Sequence, residues 1–197
     1  MSAHKAAPRP ASSGRIRIIG GIWRGRKLEV LDDPELRPSG DRVRETLFNW
    51  LQPWIDGARC LDLFAGTGVL GLEALSRGAA HATFVDRNPA AIALLERNIA
   101  ALRADRLSVV RYDALAWLAT TSPTPYDLVF VDPPFASGLL ARALTILDAG
   151  WLAPHALVYV ERGSGSGGEP WPDGLEVLRS GETRHVTYTL LRRAAPA

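Results

Sequence analysis

Four acids stand where short apolar runs stop: Asp62 in CLDLFAGTG, Asp86 in TFVDRNP, Asp113 in VVRYDAL and Asp132 in YDLVFVDPPF. A carboxylate in such a place costs desolvation free energy unless it faces a cation or a set of donors. Behind the first acid, Gly66, Gly68 and Gly71 match G-x-G-x-x-G, a turn that lets backbone approach a nucleotide where a strand meets its helix. A strand built for NAD is normally uncharged at the position of Asp62, and a pyrophosphate there would be repelled. The sulfonium and amino groups of S-adenosylmethionine would be attracted. Asp86 ends the second strand, where a carboxylate can accept both ribose hydroxyl protons. Asp113 can meet the adenine at the next position along the crevice, or simply cap the helix that follows it.

The fourth acid has a different setting. Pro133 and Pro134 are ordinary strand terminators, but they also fix φ and remove two backbone donors. The turn then offers acceptors alone. If Asp132 and the Pro133 carbonyl accept the two protons of an exocyclic amine, the nitrogen is held near tetrahedral and its lone pair can attack a methyl group. Phe135 can stack on the base, a contact worth about 1–3 kcal/mol. In-line placement of nitrogen and methyl supplies much of the rate through orientation. Asp132, Pro133, Pro134 and Phe135 are therefore the candidate catalytic residues.

These residues need a scaffold that brings successive strand ends to one crevice. From Arg59 onward, strands expected near 59–64, 82–86, 107–112, 126–132 and 156–161 alternate with helices near 69–77, 89–102, 113–119 and 138–148. That rhythm calls for an α/β fold with a mostly parallel sheet covered on both faces. A Gly-rich loop, RGSGSGGEPWPDG, precedes two β-like runs near 175–179 and 186–192, which read as a closing antiparallel hairpin. Upstream, DRVRETLFNWLQPWI places Val43, Leu47, Trp50, Leu51 and Trp54 at helical spacing, with Asp41 as candidate N-cap and Pro53 limiting the helix to about three turns. Arg15 to Val30 alternates loosely around glycines and reads as a basic hairpin arm. Residues 1–14 lack the apolar content to fold and are expected to be disordered.

Composition narrows the class. Of 197 residues, 47% are hydrophobic and 22% charged, as in a globular protein with a sizeable core. No apolar stretch approaches the roughly 20 residues that span a bilayer, and no apolar segment follows the basic N-terminus, so a cytoplasmic protein without membrane contact is expected. The single Cys60 excludes an internal disulfide and reads as inert core. His4, His81, His155 and His185 form no metal-ligand motif, so no metal is expected. The net charge of +2 hides an asymmetry. Residues 1–27 carry seven cations and no acid, +7 in all, which leaves −5 for the rest. Such a segment suits a polyanionic partner, nucleic acid first, though it also fits a solvated tail.

At larger scale the motifs carry a resemblance. RIIGGIWRGRKL (17–28), RPSGDRVRETLFNWL (37–51), CLDLFAGTGVLGLEALSRGA (60–79) and DPPF together resemble the bacterial RsmD-type 16S ribosomal RNA guanine-N2 methyltransferases, from Arg15 to about Arg192. The resemblance implies a Rossmann-like class I methyltransferase domain over 37–197 with a seven-stranded sheet, an arm over 15–36 and a tail over 1–14. It also implies methyl transfer from S-adenosylmethionine to the N2 amine of one guanine, position 966 in the usual count. Asp62, Phe64, Gly66 and Gly68 would cradle the methionine part of the cofactor, Asp86 its ribose, and Asp113 with Ala114 its adenine. Ser39, Arg42 and Thr46 would lie beside the methionine end and the target pocket, while Asp132 to Phe135 would receive the guanine. Arg15, Arg17, Arg24, Arg26, Lys27 and Arg42 would bind RNA, their partner being 16S rRNA or the small ribosomal subunit particle and the protein a monomer. Two other readings stay open: an amino-methyltransferase for another RNA or DNA, and an NAD-dependent oxidoreductase resting on the glycines alone.

Overall fold

Two short strands, β1 (Ser13–Arg17) and β2 (Lys27–Leu31), pair antiparallel, and α1 (Asp41–Leu51) follows. The computed structural model describes residues 13–31, 40–134, 138–165 and 170–194. The expected disordered tail lies outside them except for Ser13 and Gly14, which belong to β1 and pair with Leu31 and Val30. Ser39, Phe135, residues 32–36 of the arm and 166–169 of the Gly-rich loop also lie outside the described residues.

The remaining elements alternate as expected. They are β3 (Arg59–Asp62), α2 (Val69–Ser76), β4 (His81–Asp86), α3 (Pro89–Leu102), β5 (Leu107–Arg111), α4 (Ala114–Thr120), β6 (Tyr126–Val131), α5 (Leu139–Asp148) and β7 (Leu152–Gly163). Then β8 (Leu175–Glu182) and β9 (Val186–Arg193) follow with no helix between them. The larger sheet has seven strands in the order β5-β4-β3-β6-β7-β9-β8. Its first five strands are parallel, and β9 runs antiparallel to both β7 and β8. The chain leaves β3 towards β4 and later returns to β3's other side as β6. That reversal of strand order opens a crevice at the carboxyl ends of β3 and β6.

Alternation along the strands gives two apolar layers. Cys60, Phe84, Phe130, Leu157 and Tyr159 face α1, α2 and α3, whereas Leu61, Val129, Val131, Val158 and Val160 face α4 and α5. Local chemistry sets the ends of the elements. Asn88 caps α3 by accepting from the Ala90 and Ala91 N–H groups, with Pro89 in the first turn, where its missing donor costs nothing.

Three sequence expectations need correction. The N-cap of α1 is Gly40, and Asp41 is the first helical residue; the Asp41 carboxylate instead accepts from Arg44 Nη2 at 2.9 Å. Trp54 lies beyond the helix, after Pro53, and is exposed. The fifth strand of the crossover series starts four residues earlier than expected, at Leu152, because its lower half pairs with Tyr126 across a register shift that the alternation pattern does not reveal.

Candidate active site

The carboxyl end of β3 supplies the first acid. Asp62 is only 4% exposed, and its Oδ2 accepts one hydrogen bond, from the Gly71 N–H at 3.0 Å. Burial pushes its carboxyl up to about 7; the Gly71 N–H opposes that shift and the Asp86 charge adds to it. A nearly dry carboxyl with a single donor is suited to a cationic ligand. The turn above it is closed by Gly68, at φ +79, where a Cβ would lie 2.3 Å from Leu95 Cδ1. A side chain there would meet both left-handed strain and a clash with α3.

Asp86 shapes the same turn. Its Oδ2 accepts from the Gly66 N–H and its Oδ1 from the Asn88 N–H, both at 2.7 Å. One carboxylate thus fixes the glycine loop and the start of α3. Asp113 caps α4 through the Ala116 N–H at 3.1 Å, and its other oxygen lies 3.6 Å from Arg87 Nη1. Its capping role is therefore present, and Ala114 directly behind it is buried. Phe64 is half-buried and packs on the layer that faces α4 and α5.

Asp132 follows β6 and is half-buried, with Pro133 buried behind it and Pro134 exposed. The register Asp62↔Phe130 places Asp132 two residues further along the same face of the sheet. On the other side, the last pair of β6 with β7 is Val131↔Val160, so the next residues, Asp132 and Glu161, are level on neighbouring strands. Burial raises the Asp132 carboxyl well above the usual range, and the charges of Glu161 and Asp62 add to the shift. Sequence reasoning missed Glu161. The signal was available, since it is an acid closing the apolar run of strand β7 like the other four.

Thr46 and Arg42 lie on α1. The Thr46 hydroxyl donates back to the Arg42 carbonyl at 2.9 Å, and the Arg42 side chain is exposed. Val43 and Leu47 are core, and Trp50 stacks on Tyr188 at 5.4 Å.

The five cations of the hairpin, Arg15, Arg17, Arg24, Arg26 and Lys27, are all exposed, while Ile18, Leu28 and Val30 are buried beneath them. Arg26 Nη2 donates to the Ala101 carbonyl in the last turn of α3, so part of its guanidinium serves the fold. The hairpin is fastened to α2 and α3 by side chains that sequence reasoning missed. The Ile19 and Gly20 N–H groups donate to the two oxygens of fully buried Glu73, each at 2.8 Å. The Ser76 hydroxyl accepts from the Trp23 N–H and donates to the Gly20 carbonyl. Asn98 accepts from the Glu29 N–H and donates to the carbonyls of Glu29 and Thr67, tying β2 to the glycine loop. Buried Arg44 donates through Nη2 to the Arg17 carbonyl; its Nε and Nη1 have no hydrogen-bond partner among the described residues.

Comparison with known proteins places this geometry. The family described as Conserved hypothetical protein 95 matches residues 16–192. Ribosomal RNA small subunit methyltransferase D of Escherichia coli (strain K12) is 51% identical over 189 residues, covering 95% of each chain. The chain belongs to this RsmD family. Its relative of the same name in Haemophilus influenzae is 46% identical over 156 residues, covering 77% of this chain and 81% of its own. Among solved structures, a methyltransferase of E. coli, yhhF, superposes with a TM-score of 0.85 at 48% identity, over 93% of this chain and 100% of that one. A methylase of H. influenzae, HI0767, gives 0.79 at 39% identity, over 91% and 99%. RsmD membership accounts for the sheet order, the closing hairpin and the N-terminal hairpin together, which the glycine pattern of an NAD enzyme would not.

Proposed function

We propose that this chain transfers a methyl group from S-adenosylmethionine to the N2 amine of a guanine in 16S ribosomal RNA, position 966 by family resemblance. The observation that carries the reading is the pair Asp62 and Asp132. They are two carboxyls on one sheet face at the switch point, one beside the glycine turn and one before two prolines. S-adenosylmethionine supplies a methyl group on a sulfonium, already electrophilic. The residues present fit it: Asp62 is a desolvated carboxyl suited to a cation, and Asp86 fixes the loop at the ribose position. Asp113 and Ala114 border the adenine position.

At the acceptor side, Asp132 and the Pro133 carbonyl take the two amine protons. Phe135, outside the described residues, is assigned the stacking role from the sequence alone, as are Ser39 and its place beside the cofactor. Thr46 holds its hydroxyl on its own helix and so contributes to this edge through α1. The exposed cations Arg15, Arg17, Arg24, Lys27 and Arg42, with the free part of Arg26, bind phosphate and position the RNA without reading its sequence. The work is done in the cytoplasm on ribosomal RNA or the small-subunit particle, by a methyltransferase domain over 37–197 with an arm over 15–36.

Equilibrium binding and single-turnover transfer test this. S-adenosylmethionine should bind and NAD should not. Asp132→Ala should retain S-adenosylmethionine binding while transfer to small-subunit RNA falls by at least about 10²-fold, the scale of a lost orienting and electrostatic contact. Near-normal turnover of that variant removes Asp132 from the chemistry.

A further inference from the structure

Methylating an amine releases a proton, and the acceptor pocket holds more acid than amine recognition needs. Glu161 is 4% exposed, level with Asp132 on the adjacent strand, and its Oε1 accepts from the Tyr159 hydroxyl at 2.7 Å. Tyr159 lies against Phe130, the residue two before Asp132 on the same face, with ring centroids 6.5 Å apart. On the far side, Glu161 pairs in register with Tyr188 of β9. Among the described residues, the titratable groups facing the pair are thus Asp62 from β3, Tyr159 from β7 itself and Tyr188 from β9. From above, α1 covers this face with Phe48, packed on Phe130, and Trp50, stacked on Tyr188.

We propose that Asp132 and Glu161 form a proton-sharing carboxyl pair, with Glu161 a positioning residue that acts through Asp132 to take up the proton released by the amine. The inference rests on the assignment of Asp132 to the amine. Two neighbouring carboxylates repel each other, so the ionised pair takes up one proton, shared between them, more tightly than either carboxylate would alone. The Tyr159 hydroxyl donates to Glu161 Oε1 and so helps fix that carboxyl. Ionised Asp132 accepts the amine N–H. In the transfer, the bond from N2 to the methyl carbon forms, and the carbon–sulfur bond breaks with its electron pair kept by sulfur. The N2 proton passes to an Asp132 oxygen. A sulfonium and a doubly charged pair become a thioether and a singly charged pair that shares the proton, so the total charge is unchanged within the site. The pair then gives one proton to solvent. Burial and the Glu161 and Asp62 charges already hold the Asp132 carboxyl above its usual range, in the direction that makes it the better acceptor.

Glu161→Gln keeps the side-chain size and a hydrogen-bond partner for Tyr159 but removes the like charge and the second carboxylate that shares the proton. Two readouts follow: the acidic limb of the single-turnover rate, and the titration of the Asp132 carboxyl carbon by NMR in the ligand-free protein. Both midpoints should move down by about one pH unit or more, and the rate at neutral pH should fall about tenfold as Asp132 becomes a weaker base. Glu161→Asp, which withdraws the carboxyl by one methylene, should move both in the same direction by a smaller step, and it serves if the Gln variant does not fold. Midpoints within roughly 0.3 unit of wild type in a folded variant that binds S-adenosylmethionine overturn the pair. Asp132→Asn separates the two failures. If it turns over normally, the amine assignment falls. If it is inactive while Glu161→Gln titrates unchanged, only the pairing falls.

Discussion

Under the proposed function, Asp62 should couple S-adenosylmethionine binding to pH. Its carboxyl sits at about 7 in the fold against an ordinary value of 3.8, so between those values the folded chain holds a proton that the unfolded chain has lost. The neutral form therefore contributes stability that is fully present below the ordinary value and is lost as pH rises through 7. A cationic ligand beside Asp62 favours the opposite, ionised form, and below 7 it must expel the proton to bind. Affinity for S-adenosylmethionine should then rise with pH by up to about tenfold per unit between 5 and 7, levelling above that range. Asp62→Asn should weaken binding at pH 7 and flatten the dependence. Calorimetry in two buffers of different ionisation enthalpy measures the released proton directly. A dissociation constant independent of pH over this window would show that no cation meets Asp62.

The N-terminal hairpin is an element that the first crossover holds in place. Glu73 accepts from Ile19 and Gly20 and pairs with Arg77 Nε at 2.8 Å, all from a fully buried position. Glu73→Ala leaves two strand-end donors and much of a guanidinium without their acceptor, which should cost about 3 kcal/mol or more. In a chain of this size that is a fall in Tm of about 6–12 °C. A loss below about 1 kcal/mol would mean that the hairpin is held by apolar packing alone. Gly21→Ala should act in the same direction, because at φ +76 its Cβ would sit 1.8 Å from the Ser76 carbonyl oxygen. This docking explains what sequence could and could not convey about the elements. The span of α3 is legible at its start because Asn88 and Pro89 mark it, and the crossover strands are legible because each is a short apolar run between amphipathic segments. Glu73 in VLGLEALS was visible as an acid in an apolar helix, but its hairpin partners lie more than 50 residues away, and no local pattern names them. Glu161 was hidden differently: it ends the expected strand 156–161, but no local pattern shows that it lies level with Asp132 on the neighbouring strand. The row of acids was legible residue by residue. Their order across one face required the register.

Over the whole molecule, charge is sorted by position. The apolar face of the hairpin is spent on the core, so its exposed cations project outward while the rest of the chain carries the acid excess. The register adds a detail that composition lacks. Arg15 stands opposite Glu29, whose carboxylate pairs with Arg97 at 3.3 Å, but Arg17 stands directly opposite Lys27. Like charges facing across an antiparallel pair are destabilising unless an anion lies between them. That arrangement costs the free protein and favours a phosphate-bearing partner. Replacing Arg17 and Lys27 together by Ala should therefore move two measurements in opposite directions. Affinity for small-subunit RNA should fall and its dependence on log salt should flatten by about one to two, the share of two lost phosphate contacts. Thermal stability of the free protein should hold or rise by up to about 1 kcal/mol as the repulsion is removed. An unchanged salt slope with raised stability would mark the pair as a mere repulsion. A flattened slope with a large loss of stability would point to disruption of the hairpin. Only the combination of weaker, less salt-sensitive binding and an undiminished fold assigns the two cations to RNA phosphate.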